Sequence, residues 1–300
     1  MAIISTGALR QGRAISLLLA GSVLWGLFWW PLKAFDAVTI HVSFVQAIAY
    51  AAATLVLLPL AWRSWPEWRD QFGLVLLICL LGGWANASFA TSLAEGNVVR
   101  VMLLFYLAPV WTILAARIFL AEPITAMRLV ALALALTGLV ATLGGAEMFA
   151  TPLSLVDLLA LSSGLAFALN NVAIRVGHNL PETTRAAAVF AGCTLISFAW
   201  ILSSARPVPA LETSHIWALL GLGLFWIIPG TLATFYGVAR LDAGKAAILL
   251  LAELVVGVFS SVLIGGEHLS VNEVVGGALI LSAAVIEART ESPASKEATA

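Results

Sequence analysis

The side chains of this chain that could do chemistry are amides, indoles and one carboxylate, each set inside a long apolar run. Asn170 and Asn171 are adjacent, and Ser163, Phe167 and Asn170 recur at i, i+4 and i+7 on one helical stripe. Neighbouring amides can donate and accept together, as a zwitterion requires. They can equally join two helices. Asn86 lies in Gly82-Gly83-Trp84-Ala85-Asn86-Ala87-Ser88, where Trp84, Ser88 and Thr91 share a face. A buried amide needs hydrogen-bond partners, which cargo or a neighbouring helix could supply. The stretch LWGLFWWPLK, Leu24 to Lys33, adds three Trp and a Phe, with Ser22, Trp25 and Trp29 on one face. Tyr106, Trp111 and Trp226 are further aromatic residues at depth in apolar runs.

Depth separates anchors from lining. At a rise of about 1.5 Å per residue, Trp25 lies ~3 Å past the midpoint of its run and Trp30 ~10 Å past it. Trp30 therefore reads as an interfacial anchor. Trp25 and Trp29 read as wall or as ordinary helix packing. Glu253 falls within ~3 Å of the centre of its run, where a charge costs about 2.5–3.5 kcal/mol on insertion scales. It is either a coupling group, for a proton or a cargo ammonium, or a structural hydrogen-bonding carboxyl. Pro109, Pro229 and Gly230 interrupt two apolar runs and read as hinges or as kinks without a role. No Walker loop, catalytic triad or metal-spaced cluster is present, and His41, His178, His215 and His268 all sit at the ends of runs. The expectation is no enzyme, no cofactor and no metal.

The elements that must position these residues follow from composition. The chain has 300 residues, 61% hydrophobic and 10% charged, with mean hydropathy +1.02. A soluble domain carries roughly 25% charged residues, so lipid must surround this one. A net charge of −1 gives no reason to expect nucleic acid as a partner. Cys79 and Cys193 sit in apolar runs as buried thiols. Arg10 and Arg13 before an apolar run mimic a signal peptide, but the run is long and Trp-rich and reads as a first membrane helix.

A membrane helix needs about 20 apolar residues. The apolar runs are 13–33, 39–62, 71–94, 97–119, 125–145, 153–175, 183–203, 214–239, 244–265 and 270–288, which predicts ten spans. The narrowest division is the tight turn Glu95-Gly96-Asn97. With the N-terminus inside, twelve of the 15 Lys and Arg fall in cytoplasmic segments, and only Lys33, Arg100 and Arg206 fall outside. The positive-inside rule then places both termini in the cytoplasm. The chain also repeats. Arg117–Thr142 lies over Ser261–Glu287, so Glu122 meets Glu267, and Arg100 meets Lys245. LWGLFWWPLK lies over Ala166–Arg175, AFALNNVAIR. Five spans per half is odd, so the halves face opposite ways, a pattern that puts a transporter's site at the midplane between them. The expected units are 1–148, 149–289 and a cytoplasmic tail, 290–300.

Ten spans as five plus five, a Trp-Gly pair in the first, and Glu–(Pro/His)–(Ile/Leu)–(Thr/Ser) after the fourth and ninth resemble the EamA branch of the drug/metabolite transporter superfamily. Within that branch, VVRVMLLFYLAPVW (Val98–Trp111) and the Trp-rich first run are similar to bacterial aromatic amino-acid exporters of the YddG type. The resemblance implies an all-α basket of ten helices, built from inverted five-helix repeats around a central cavity. The absence of Lys or Arg at mid-depth favours a neutral or zwitterionic cargo. Together these give an expected inner-membrane exporter of aromatic, and other apolar, amino acids, working by alternating access as a monomer or weak homodimer. Trp25, Trp29, Trp84, Tyr106, Trp111 and Trp226 would supply stacking surface. Asn86, Ser88, Ser163, Asn170 and Asn171 would hold the polar groups. The rival readings are a broader drug or metabolite exporter, a non-transporting assembly protein and an intramembrane enzyme.

Overall fold

A computed structural model describes residues 2–119, 125–142, 153–177, 179–204, 207–238, 240–241 and 243–289. The expected boundary at 148/149, the tail 290–300 and Glu122 lie outside these residues. The described chain is helical throughout, because in lipid a helix satisfies its own backbone. Its elements are α1 (Ala2–Gly26), α2 (Trp29–Ala37), α3 (Val42–Arg63), α4 (Trp65–Trp68), α5 (Phe72–Glu95), α6 (Val98–Phe105), α7 (Ala108–Phe119) and α8 (Ala126–Thr142). Then follow α9 (Leu155–Val176), α10 (Glu182–Ser203), α11 (Thr213–Gly221), a π-helical segment (Leu222–Ile227), α12 (Ile228–Val238), α13 (Ala243–Leu263) and α14 (Val271–Arg289).

Among the described residues, seven stretches are long and apolar enough to cross a membrane: Gln11–Ala37, Val42–Arg63, Trp65–Glu95, Val98–Phe119, Leu155–Ile174, Glu182–Ser203 and Thr213–Val238. Three shorter apolar helices, Leu129–Thr142, Leu249–Leu263 and Val271–Ala283, lie in α8, α13 and α14.

Local chemistry sets the helix ends. His41 Nδ1 accepts from Ser43 N–H at 3.2 Å, and Asn97 Oδ1 from Arg100 N–H at 2.8 Å. Ser154 and Asp157 form a reciprocal capping box at the start of α9, satisfying two otherwise orphan donors. Gly96, extended at ψ −179°, lets α5 turn into α6 within two residues. The prolines behave differently from the expected mid-helix kinks. The first run stops at Gly26 and restarts at Trp29, with Pro31 in the new first turn. The fourth stops at Phe105 and restarts at Ala108, just before Pro109. Pro229 follows the π-helical segment as the second residue of α12. A missing N–H is harmless in a first helical turn, so Pro31 and Pro109 mark restarts, whereas Pro229 lies within a continuous helical stretch, Thr213–Val238, next to its π-helical turn.

The packing is reciprocal between the two halves of the chain. Helix α1 packs on α12 and α13, while α9 packs on α5, α6 and α7. Helix α10 packs on α3 and α5, α3 also meets the π-helical segment, and α8 packs on α14. Small residues permit the close approaches. A Cβ on Gly83 would strike the Gly192 backbone, and one on Gly223 would strike the Ala49 carbonyl. Gly164 lies against the Phe105 carbonyl, and Gly138 against that of Gly276.

Candidate functional site

The first run, α1 and α2, carries its indoles into two seams. Trp25 is half-buried, meets Phe28 edge-on at 5.3 Å and lies over Gly230 of α12. A Cβ at Gly230 would touch that indole at ordinary van der Waals distance. Trp29 is 3% exposed and donates Nε1–H to Ser260 Oγ of α13 at 2.9 Å. Trp226 donates Nε1–H to the Leu24 carbonyl at 2.8 Å. Thus Trp25 and Trp226 line the seam of α1 with α12 and its π-helical approach, and Trp29 lies in the seam with α13. Trp30 is 51% exposed, as an interfacial anchor requires.

Helix α9 carries the amides. Asn170 is 6% exposed, its Oδ1 lies beside Gly82 of α5, and that oxygen is buried without a hydrogen-bond partner. Leaving such an acceptor unmet costs about 1–3 kcal/mol. Asn171 beside it is half-buried. On α5, Asn86 donates to its own Gly82 carbonyl at 2.9 Å and accepts from Tyr50 O–H at 3.1 Å. Trp84 donates to Ser162 Oγ at 3.2 Å and meets Trp200 edge-on. Ser88 and Ser163 return their hydroxyls to carbonyls of their own helices, Trp84 and Ala160. Trp84 and Asn170 therefore lie where α5 meets α9, Asn86 is bonded within α5 and to Tyr50 of α3, and Ser88 and Ser163 are turned back on the backbone.

Between these lobes lies the break of the fourth run. Tyr106 caps it, donating to the Leu250 carbonyl of α13 at 3.2 Å. The Glu253 carboxyl, one turn on, is in hydrogen-bond reach of the same hydroxyl. Glu253 makes none of the described ion pairs. Trp111 stands one turn past the break on α7, half-buried, with Nε1 lacking a partner. Ser22, Thr231 and Thr234 also hold buried hydroxyls without partners, and Thr234 lies against Gly21 at the α1–α12 seam.

Sequence reasoning passed over Gln46. It is 1% exposed and joins three helices: Nε2 donates to the Ala87 carbonyl and Thr91 Oγ1, while Oε1 accepts from Ser197 at 3.2 Å and from Cys193. Its signal was available, an amide six residues into an apolar run, with Tyr50 one turn on. Ser260, Ser162, Phe89 and Phe105 carried no comparable signal. The Phe105 ring packs at a tilt against those of Phe89 and Phe167, with centroids 4.4 and 5.4 Å apart, a cluster only tertiary structure reveals. Among the described residues no group of three His, Cys, Asp or Glu is placed to hold a metal. A hollow of about 300 Å³ between Thr39, His41, Phe44 and Pro207–Pro209 lies at the bundle end, away from the amides.

No curated protein matches the chain. A solved crystal structure superposes with a TM-score of 0.58 at 18% identity, covering 94% of this chain and 96% of its own, a likeness of fold alone. The EamA-like transporter family matches twice, over residues 12–144 and 154–287, so that almost the whole described bundle is two copies of one family unit. The chain belongs to the EamA-like transporter family, and is a multi-pass membrane protein of the drug/metabolite transporter superfamily.

Proposed function

We propose that this protein exports aromatic amino acids, and other apolar ones, across a bacterial inner membrane by alternating access. The observation that carries the reading is the unpaired Asn170 oxygen, nine-tenths buried on α9 beside the Asn171 amide and the α5 backbone. A buried acceptor left open in the free protein is one a cargo ammonium can fill. The α1 lobe offers the complementary surface, with Trp25 over Gly230 and Trp226 beside it. Indoles there would stack on an aromatic side chain while amides hold its head. Asn86, Asn171, Trp84 and Tyr106 complete the proposed wall. Trp29, Trp111, Ser88 and Ser163 position it from the seams and helix backbones. Pro109, Pro229 and Gly230 would serve as hinge points, since Pro109 lies where a helix restarts and Pro229-Gly230 adjoin a π-helical turn.

In this reading the three shorter helices also cross, making ten spans in two inverted repeats with units 1–148 and 149–289. The reciprocal packing of α1 and α9 supports a pseudo-twofold relation. Both termini, with the tail 290–300, lie in the cytoplasm. Cysteine labelling tests the topology: positions 63–70 and 178–182 should react from the cytoplasm and 145–152 from the periplasm. Cargo is tested by loading liposomes with labelled amino acids. Aromatic species should exchange fastest, and a panel dominated by unrelated drugs would favour the broader exporter.

A further inference from the structure

One end of the bundle is laced with charge. Glu267, between α13 and α14, accepts from Lys33 Nζ at 3.2 Å and from the backbone N–H groups of Val98 and Val99 at 2.9 and 3.2 Å. The carboxylate thus faces both an ammonium and the positive N-terminal end of α6. The next residue, Arg100, grips both oxygens of Asp157 through Nε and Nη2 at 2.7 and 3.1 Å, the fork geometry that makes such pairs strong. Asp157 also closes the α9 capping box. Nearby, His41 Nε2 and Glu95 meet at 3.0 Å.

These contacts cross between the repeats. Lys33, Val98, Val99 and Arg100 lie in the first family unit, and Asp157 and Glu267 in the second. The first turn of α6 is therefore tied at once to α9 and to the α13–α14 connection. Glu267 and Asp157 are largely buried, so separating the pairs would leave charges poorly compensated. The opposite end differs. There Ser64 and Thr184 join α3 to α10 by a neutral hydrogen bond of 2.9 Å. Arg13 and Arg240 lie over the Tyr236 ring, at 5.5 and 3.7 Å from its centroid.

We infer that the Lys33–Glu267–Val98 cluster and the Arg100–Asp157 pair are a lock that holds this end shut, and that its release opens the molecule to that side. The inference rests on the alternating-access reading, in which this end is periplasmic. Opening there must part α2 and α6 from α9 and the α13–α14 connection, and each of those separations breaks one of these contacts. Both states must stay close in free energy for cycling. A lock of a few exchangeable hydrogen bonds and ion pairs suits that need better than a dry apolar seam.

The test uses full-length protein with Cys79 and Cys193 replaced by Ala and one reporter cysteine at a time. Ser92→Cys reports on the charged end, where Ser92 is buried beside Val156. Thr184→Cys reports on the other end. A membrane-impermeant thiol reagent is applied from each side. Glu267→Ala should raise Ser92→Cys modification about tenfold and lower that of Thr184→Cys severalfold, the reciprocal response of a two-state switch. Lys33→Gln removes only the ion pair and should give a smaller shift in the same directions, which covers the case of a poorly folding Glu267→Ala. A rise at Ser92→Cys without a fall at Thr184→Cys would mean local fraying, and no change at either would mean the cluster holds nothing. Either overturns the lock. Labelling needs no cargo, so a lock that behaves as expected in a protein that moves no amino acid would reject the export reading alone.

Discussion

The α1 lobe and the α9 lobe are built alike and furnished differently. In each, one helix lies against helices from the other half of the chain, α1 on α12 and α13, α9 on α5, α6 and α7. Adding 142, the offset at which LWGLFWWPLK meets AFALNNVAIR, takes Trp25 to Phe167, Phe28 to Asn170 and Trp29 to Asn171. The α1 lobe uses indole N–H groups to bind its seams, Trp29 to Ser260 and Trp226 to the Leu24 carbonyl. The α9 lobe uses amides, and at Asn170 it leaves an oxygen unpaired. Repetition of the backbone thus coexists with divergence of polar chemistry. A membrane interior penalises an unmet polar group; the α1 lobe leaves the Ser22, Thr231 and Thr234 hydroxyls unpaired, and the α9 lobe leaves an amide oxygen, the stronger acceptor for a cargo ammonium.

That contrast can be broken at graded strength. The largest effect is expected at Asn170. Asn170→Leu removes the open acceptor and should lower aromatic amino-acid exchange tenfold or more, the scale of losing ~1.4 kcal/mol or more of binding. Thermal stability should hold or rise, because the change relieves an unmet group. A large loss of stability instead would mean that Asn170 serves packing. Next comes Trp25→Ala, which should reduce aromatic exchange several-fold while sparing aliphatic amino acids. An equal fall for both classes would contradict a stacking role.

Glu253 falls between the lobes, with Tyr106 as its observed neighbour. Glu253→Gln keeps the shape and a hydrogen bond to that hydroxyl, and should leave folding intact. Glu253→Ala removes the carboxyl and leaves Tyr106 only its bond to the Leu250 carbonyl, and should destabilise by about 1 kcal/mol, read by thermal unfolding in detergent. If Gln also abolishes exchange while the fold survives, and wild-type exchange follows an imposed pH gradient, Glu253 is a coupling group. Smaller still is Trp29→Phe, which loses the Ser260 bond at about 1 kcal/mol and should change exchange little. Trp30→Ala, at the exposed edge, should change neither.

The apolar runs were legible because length and hydropathy alone define a helix able to cross a bilayer. The repeat was legible too, since residues 117–142 fall on 262–287 at one constant offset. The helix breaks at Leu27–Phe28 and Tyr106–Leu107 were only half legible. Pro31 and Pro109 signalled an interruption, but proline chemistry does not say whether a helix bends or stops and restarts. Depth set Trp30 apart from Trp25, because rise per residue converts position to depth, and Trp30 is the more exposed of the two. Depth does not say which neighbour a side chain meets. Ser22, Trp25 and Trp29 share a face on paper, yet Trp25 meets α12 and Trp29 meets α13, because two helices straddle that stripe. Gln46 was missed for the converse reason. Its four partners lie on α5 and α10, far away in sequence.

The central claim is tested most directly by exchange in proteoliposomes. Purified protein is reconstituted, the vesicles are loaded with unlabelled phenylalanine or tryptophan, and uptake of the labelled species is followed against alanine, lysine and glutamate. The account predicts rapid exchange of the aromatic amino acids, slower exchange of alanine, none of the charged species, and at least a tenfold loss of aromatic exchange in Asn170→Leu. Exchange that does not distinguish aromatic from charged amino acids, or that is unchanged in Asn170→Leu, would contradict it.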